Sequence, residues 1–356
     1  MAKMQFLTGA PGFVNSSSEV NKADKEIPEM SQSRFSPSKN DQTKSIGGFP
    51  RLDTPENLQA DLETLCRLQT SAPSSTSPYS ASFHLAPNAF NRLESLLADI
   101  RVARFSYDYI TQSAEITMVK TTVHNQCNRG IGTLLESAVE GLSGLVTAFA
   151  TAEHHEEVEA LQTVSRRLRN VYCDGAAAIV VSEKCYKAPD NQLIDHETKF
   201  PFPPFVVEIS YSQSFENVKK KAEQYSKISD GHIRTVLIVD IDYPAISHMR
   251  LHLFATETAP TGERVLREVE SITLFDLADA APVIGPPNPG PLRLFTSDVL
   301  ANDTEIPARL QRPLLFEGHG DDIVHVEIPF EDLRDACLKA RELHLKKEEK
   351  AKNFWK

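Results

Sequence analysis

The sequence predicts an α/β protein, also describable as α+β, in which a mixed central sheet is flanked by helices. Three neighbouring segments carry this prediction. Phe205–Ile209 is a short β-branched apolar run typical of a buried strand, and a helical pattern follows it. Ile233–Ile241 is then almost entirely apolar, which is typical of a strand covered on both faces.

The first of these strands carries an acid in its middle, Glu208. Burying an ionised carboxylate costs several kcal/mol unless it is paired, so Glu208 needs a partner. In the helix that follows, Ser214 is suited to the N-cap and Gly231 is a stop signal. The apolar stripe predicted to face the sheet consists of Phe215, Val218, Ala222 and Tyr225. Lys219 and Lys221 flank this stripe at about 80° to either side, so either lysine is a candidate partner for Glu208.

A second acid lies upstream, in the apolar run Val171–Val181, where Asp174 stands near the start. We expect this run and the Glu208 strand to be neighbours in the sheet. Two carboxylates on adjacent strands, with a lysine from the next helix, form an oxygen-rich site suited to Mg²⁺. Such a site is typical of phosphodiester hydrolysis.

The order of these elements resembles the PD-(D/E)XK, or restriction-endonuclease-like, superfamily. Within it, the chain looks like the Uma2 family and uncharacterised fungal proteins of similar layout. The resemblance is carried by Asp174 before Gly175, by Glu208, by Lys221 four residues before Tyr225, and by the later strand. It covers roughly residues 100–270, including an opening hairpin at Phe105–Lys120 and a first helix from His124.

The resemblance implies a metal-dependent phosphodiesterase or nuclease that uses Mg²⁺, or Mn²⁺ as the alternative. Asp174 and Glu208 would hold the ion, and Lys221 would stabilise charge or orient the attacking water. Two positions depart from the family pattern, since Cys173 replaces the usual proline and Ser210 stands where a lysine is expected. The alternative is therefore a catalytically inactive nuclease-fold protein that serves in binding or regulation, and enzyme activity stays open.

Further candidates surround this site. Glu136 on the first helix is an accessory acid, and Gln224 is a second accessory residue on the helix of Lys221. The candidates for nucleic-acid contact are Arg166, Arg167, Arg169 and Lys219. For Glu136 and the three arginines, a solvated helix face is the competing interpretation.

Composition limits the remaining possibilities. The formal net charge of −11 weighs against a broad nucleic-acid-binding surface, although a local basic patch is compatible with it. Five cysteines without CxxC spacing argue against a disulfide framework and a structural zinc site. We expect an intracellular protein of the nucleus or cytoplasm without a membrane span. The candidate partners are nucleic acid and a protein that binds the C-terminal helix.

We expect five regions along the chain: a disordered tail over 1–50, a helical extension over 51–104, a nuclease-like core over 105–280, a Pro/Gly-rich linker over 281–291, and a C-terminal extension with a terminal helix over 292–356. The predicted elements of the first half are a helix from Thr54, a linker over Ser71–Ser82, helices over Asn88–Arg104, His124–Ala148 and Ala152–Arg169, and a hairpin over Phe105–Val119. The predicted elements of the second half are a polar excursion over Ser182–Pro204, strands around Met249–Leu253 and Val265–Val269, and a helix over Phe330–Lys352.

Overall fold

The computed structural model describes residues 79–84, 103–108, 112–118, 122–152, 157–176, 179–181, 185–211, 213–242, 245–277, 290–313 and 323–354. The tail over 1–50, the helix predicted from Thr54, nearly all of the helix predicted over Asn88–Arg104 and most of the 281–291 linker lie outside these residues.

The described secondary structure consists of strands and helices, with runs of up to five consecutive strands. In chain order, the strands are β1 (Tyr79–His84), β2 (Ala103–Asp108), β3 (Ser113–Met118), β4 (Val171–Cys173), β5 (Ile179–Val181), β6 (Cys185–Lys187), β7 (Asn191–Asp195), β8 (Phe205–Ser210), β9 (Thr235–Ile241), β10 (His248–Thr258), β11 (Arg264–Asp276), β12 (Leu292–Phe295) and β13 (His325–Ile328). The α-helices are α1 (Thr122–Ala152), α2 (Val158–Leu168), α3 (Phe215–Ile228), α4 (Thr296–Val299) and α5 (Phe330–Phe354).

The central sheet has six strands in the order β11-β10-β9-β8-β7-β4. The β8–β9 pair is parallel, and every other pair in this sheet is antiparallel. A second sheet has the order β1-β3-β2-β6-β5, and β12 pairs with β13. The predicted mixed α/β architecture with a mixed central sheet is therefore confirmed.

The unit β8–α3–β9 forms for the local reasons that the sequence indicates. All six residues of β8 are buried, and α3 starts where the Ser214 hydroxyl accepts a hydrogen bond from the Asn217 N–H. The helix is followed by Gly231, whose φ of +78° suits a glycine. The buried residues of α3 join those of β8, β9 and β10 in one hydrophobic cluster. This packing fixes α3, and with it Lys221, against one face of the sheet.

The Ser214 cap can be tested directly. Ser214→Ala is expected to lower the free energy of unfolding by about 1 kcal/mol, because an N–H at the start of α3 loses its acceptor. Urea unfolding of the purified protein measures this. Ser137→Ala, at an exposed position inside α1, is the control and should have a neutral or slightly stabilising effect. Equal effects of the two substitutions would contradict the capping role.

The other face of the sheet is covered by α1, α2 and α5. Buried residues of α1, such as Ile131 and Leu135, share one hydrophobic cluster with Leu161 of α2 and with Leu333 and Cys337 of α5. The helices predicted over His124–Ala148 and Phe330–Lys352 are thus confirmed, with their apolar faces turned inward. The segment after residue 290 contributes to this same core.

Three segment predictions need correction. The run Val171–Val181 is two short strands, β4 and β5, which belong to different sheets. The predicted linker over Ser71–Ser82 runs into β1, and the predicted excursion over Ser182–Pro204 contains β6 and β7. The polar residues Asn191 and Asp195 of β7 are compatible with burial because Asn191 accepts a hydrogen bond from the Cys173 thiol of β4 and Asp195 pairs with Arg167 of α2. Period-2 hydrophobicity does not reveal these contacts.

Candidate functional site

Glu208 is buried in the middle of β8, with 2% of its surface exposed. Its Oε1 accepts a hydrogen bond of 2.5 Å from the Tyr225 hydroxyl and lies 2.8 Å from Lys221 Nζ. Both donors come from α3, one turn apart on the face that packs on the sheet. The prediction that Glu208 has a lysine partner is confirmed, and the partner is Lys221.

Lys221 also reaches the segment before β7, because its Nζ donates a 3.0 Å hydrogen bond to the Ala188 carbonyl. Its side chain keeps 19% of its surface exposed. Lys219 points elsewhere, with its Nζ 5.9 Å from the centre of the Phe254 ring. The hydroxyl of Ser210 donates to the Gln213 carbonyl, so this position supplies no cation. The ammonium of the site therefore comes from α3.

Asp190 lies directly beside Glu208, at the point where the chain enters β7. Its N–H donates to the Val207 carbonyl at 3.0 Å, and its Oδ2 accepts from the Ile209 N–H at 2.8 Å. Asp190 thus binds the backbone on both sides of Glu208, and it is fully buried. Pro189 precedes it, so the proline–acid pair that is absent at Cys173 is present here. Sequence reasoning missed this residue, although the Pro189–Asp190 dipeptide was the signal that could have identified it.

Helix α1 holds Asp190 from the other face of the sheet. His124 Nε2 lies 2.6 Å from Asp190 Oδ1, and Asn128 Nδ2 donates a 2.9 Å hydrogen bond to the Asp190 carbonyl. These two side chains are one helical turn apart. One turn further on, a Cβ placed on Gly132 would stand 2.8 Å from Asn191 Nδ2, so α1 passes very close to the start of β7.

Asp174 does not occupy the expected position. It is exposed and follows β4, and β7 lies between β4 and β8, so the prediction of adjacent acid strands is wrong. Two strand spacings, about 9.5 Å, separate β4 from β8. The N–H of Asp174 donates to the Gln192 carbonyl at 3.0 Å, which places it beside β7. The cause is the unrecognised strand β7, which supplies the actual neighbour of β8.

Glu136 lies with Asp174 around Cys173 rather than beside Glu208. Burial is the main factor that raises the pKa of the Cys173 thiol to about 11, and the charges of Glu136 and Asp174 add to it. The Cys173 thiol donates to the Asn191 side chain. Glu136 and Asp174 thus form a separate acidic group near β4, and β7 lies between β4 and the Glu208 strand β8. Gln224 is exposed, and the residue of α3 that reaches Glu208 is its neighbour Tyr225.

The arginines of the predicted basic cluster, Arg166, Arg167 and Arg169, form ion pairs and hydrogen bonds within the protein. Arg167 is buried and pairs with Asp195 and Asp303, and Arg166 pairs with Glu197. The guanidinium of Arg169 donates to hydroxyls of Thr147 and Ser165. Asp195 ends β7, five residues after Asp190, and this spacing corresponds to about 17 Å. A role in phosphate contact is therefore wrong for the buried Arg167, which joins α2 to the far end of β7.

Ligand groups for a metal ion are few at this site. In the described part of the chain, no three His, Cys, Asp or Glu side chains gather in a way that could hold a metal ion. Glu208 and Asp190 therefore offer two carboxylates rather than a complete cage. Mg²⁺ commonly binds through one or two carboxylates and keeps several waters, so this donor set is compatible with it.

Comparisons with known proteins add no assignment. The fold and the site define a mixed α/β protein in which a buried glutamate of the central sheet contacts a lysine and a tyrosine of α3. No protein-family model matches the chain, and no curated protein matches it. Among the described helices, none has the length and apolar character that crossing a membrane requires.

Proposed function

We propose that the protein is a metal-dependent phosphodiesterase or nuclease of the PD-(D/E)XK type, with a restriction-endonuclease-like core. One observation carries the proposal: Asp190 binds the backbone on both sides of Glu208, while Lys221 joins the Asp190 segment to the Glu208 carboxylate. Asp190 and Glu208 thus lie on paired neighbouring segments of the chain, and Lys221 contacts both segments. In this proposal Asp190 takes the place that the sequence suggested for Asp174.

The residues fit Mg²⁺, with Mn²⁺ as the alternative. Asp190 and Glu208 supply hard oxygen donors, and both described donors to Glu208 reach the same atom, Oε1. A buried, ionised carboxylate is also more stable beside further positive charge than beside one ammonium alone. When bound, the ion would polarise a phosphoryl oxygen and make an attacking water more acidic.

The protein side chains have distinct roles in this proposal. The Tyr225 hydroxyl fixes the rotamer of Glu208 through its 2.5 Å hydrogen bond, since both groups are buried. Lys221 keeps its ammonium 2.8 Å from the Glu208 carboxylate, where it would stabilise the charge that develops on a phosphate or orient the water. Nucleic acid is the proposed substrate class. The net charge of −11 implies that contacts with it are few and local.

A second function is supported by a specific observation. Asp190 is fully buried, and its carboxylate already faces the Ile209 N–H and the His124 ring. Ser210 also leaves the usual lysine position without charge. These features favour a nuclease-fold protein that binds or regulates without catalysis.

An acid-to-amide pair of substitutions separates the two functions. The purified protein is incubated with Mg²⁺ or Mn²⁺ and with single-stranded DNA, double-stranded DNA or RNA. Asp190→Asn is expected to lower the cleavage rate roughly 100-fold, since it removes the charge beside Glu208. Asp174→Asn should leave the rate unchanged, because Asp174 is exposed and lies beyond β7.

Each outcome of this experiment is decisive for one part of the proposal. Absence of metal-dependent cleavage by the unaltered protein on all three substrates would favour the binding function. Loss of cleavage in Asp174→Asn but not in Asp190→Asn would return the site to the acid that the sequence first indicated.

A further inference from the structure

Asn128 is oriented toward a backbone atom of the candidate site rather than toward its own helix. Its Nδ2 donates 2.9 Å to the Asp190 carbonyl, across 62 residues of sequence. Its Oδ1 is buried without a hydrogen-bond donor among the described residues. An unsatisfied buried acceptor is unfavourable. The orientation of the Asn128 amide therefore favours the hydrogen bond from Nδ2 to the Asp190 carbonyl at the cost of leaving Oδ1 without a donor from the residues that the structure describes.

The bond matters because Asp190, directly before β7, pairs with β8 in an irregular way. Its carboxylate, not a backbone carbonyl, accepts from the Ile209 N–H, so the ladder between β7 and β8 is completed by a side chain at this point. The orientation of that carboxylate depends on the backbone dihedrals of Asp190. The N–H of Asp190 is held by Val207, and its carbonyl is held by Asn128.

The next turn of α1 also contacts the start of β7. Gly132 leaves room for the Asn191 side chain, since an added Cβ would stand 2.8 Å from Asn191 Nδ2 and 3.3 Å from Cys173 Sγ. Asn191 in turn accepts from the Gln192 N–H and from the Cys173 thiol. Asn128 and Gly132 thus set the distance between α1 and the segment Asp190–Asn191.

We infer that Asn128 is a positioning residue for a divalent-cation site at Asp190 and Glu208, and that it tunes the preference of this site for Mg²⁺ over Ca²⁺. The inference rests on the proposed function, because it assigns Asn128 a role in the proposed metal site. Mg²⁺ requires near-ideal octahedral geometry, whereas Ca²⁺ accepts irregular and larger coordination. A change in the orientation of Asp190 should therefore weaken Mg²⁺ binding more than Ca²⁺ binding.

The test is calorimetric titration of the full chain with MgCl₂ and with CaCl₂. Asn128→Leu removes the donor without adding charge and is expected to weaken Mg²⁺ binding about tenfold, with a smaller effect on Ca²⁺. Asn128→Gln keeps an amide donor and should restore most of the Mg²⁺ affinity. Gln126→Leu makes the same kind of exchange about 200° around the helix and should change neither affinity.

The outcomes separate this inference from the proposed function. If the unaltered protein binds no Mg²⁺, the proposed function and this inference both fail. If it binds Mg²⁺ and Asn128→Leu binds both ions as the unaltered protein does, only the role of Asn128 is overturned. Equal weakening of Mg²⁺ and Ca²⁺ would also overturn it, since that indicates a general loss of structure.

A second variant decides the case in which Asn128→Leu does not fold. Gly132→Ala is favourable for helix propensity, but its Cβ displaces Asn191. A lowered preference for Mg²⁺ over Ca²⁺ in this variant supports the positioning role of α1. An unchanged preference overturns it.

Discussion

Glu208→Gln is expected to weaken Mg²⁺ binding by the purified protein roughly 1,000-fold, or about 4 kcal/mol, while the protein stays folded. Glutamine has the shape of glutamate, and its amide oxygen can still accept from the Tyr225 hydroxyl and from Lys221 Nζ. What disappears is the negative charge. Lys221 keeps its bond to the Ala188 carbonyl and its partial exposure, so its ammonium remains stabilised.

Calorimetric titration with MgCl₂ measures this loss, and circular dichroism verifies that the helices and sheets remain. Glu216→Gln is the matched control, because Glu216 is an exposed acid of α3 in its first turn. It should bind Mg²⁺ as the unaltered protein does. Unchanged Mg²⁺ affinity in Glu208→Gln would remove Glu208 from the metal site, whatever the behaviour of the control.

The parts of the fold that could be predicted are those whose signals are local. The strand with Glu208, the cap at Ser214, the stripe of α3 and the stop at Gly231 all depend on residues within about one helix of each other. Strand β7 could not be recognised in this way. Asp195 at its end and Asp190 just before it are compatible with burial because Arg167 and His124 approach from α2 and α1, which are distant in sequence.

The choice between the two lysines of α3 shows the same limit. Lys219 and Lys221 are placed symmetrically about the apolar stripe, so helical periodicity cannot separate them. Strand order separates them, because β9 and β10 lie on one side of β8 and β7 lies on the other. Lys219 faces Phe254 of β10, and Lys221 faces Ala188 before β7. A site built from several strands therefore depends on topology that a linear pattern does not contain.

Arg167→Met is expected to lower the free energy of unfolding by roughly 3–5 kcal/mol, which identifies Arg167 as a structural residue. The side chain is buried between Asp195 and Asp303, and methionine would leave both acids without their counter-charge. Asp195 also accepts from the Ala301 N–H, and Asp303 accepts from the Lys199 N–H. The loss would therefore weaken the junction of α2, β7 and the segment that follows α4.

Urea unfolding of the two arginine variants provides the measurement. Arg166→Met is the control, since Arg166 is 60% exposed and pairs with Glu197 at the surface. Its expected effect is within about 1 kcal/mol, because exposed ion pairs contribute little. If Arg167→Met costs no more than Arg166→Met, the buried group does not stabilise the fold, and the phosphate-contact role becomes open again.

The pH dependence gives an independent signature of the Arg167 group. Burial alone would raise the pKa of Asp303, but hydrogen bonds from the Lys199 N–H and from Arg167 outweigh it, so the pKa is lowered. A lowered pKa contributes stability that is fully present above the unfolded-state pKa of about 3.9 and is lost as pH falls through the folded-state value. Without Arg167, the pKa of Asp303 moves up toward its ordinary range. The stability difference between the unaltered protein and Arg167→Met should therefore be constant above about pH 5 and should shrink as the pH falls below about 4. A difference that stays constant down to the acid transition would show that the carboxylates gain nothing from the guanidinium.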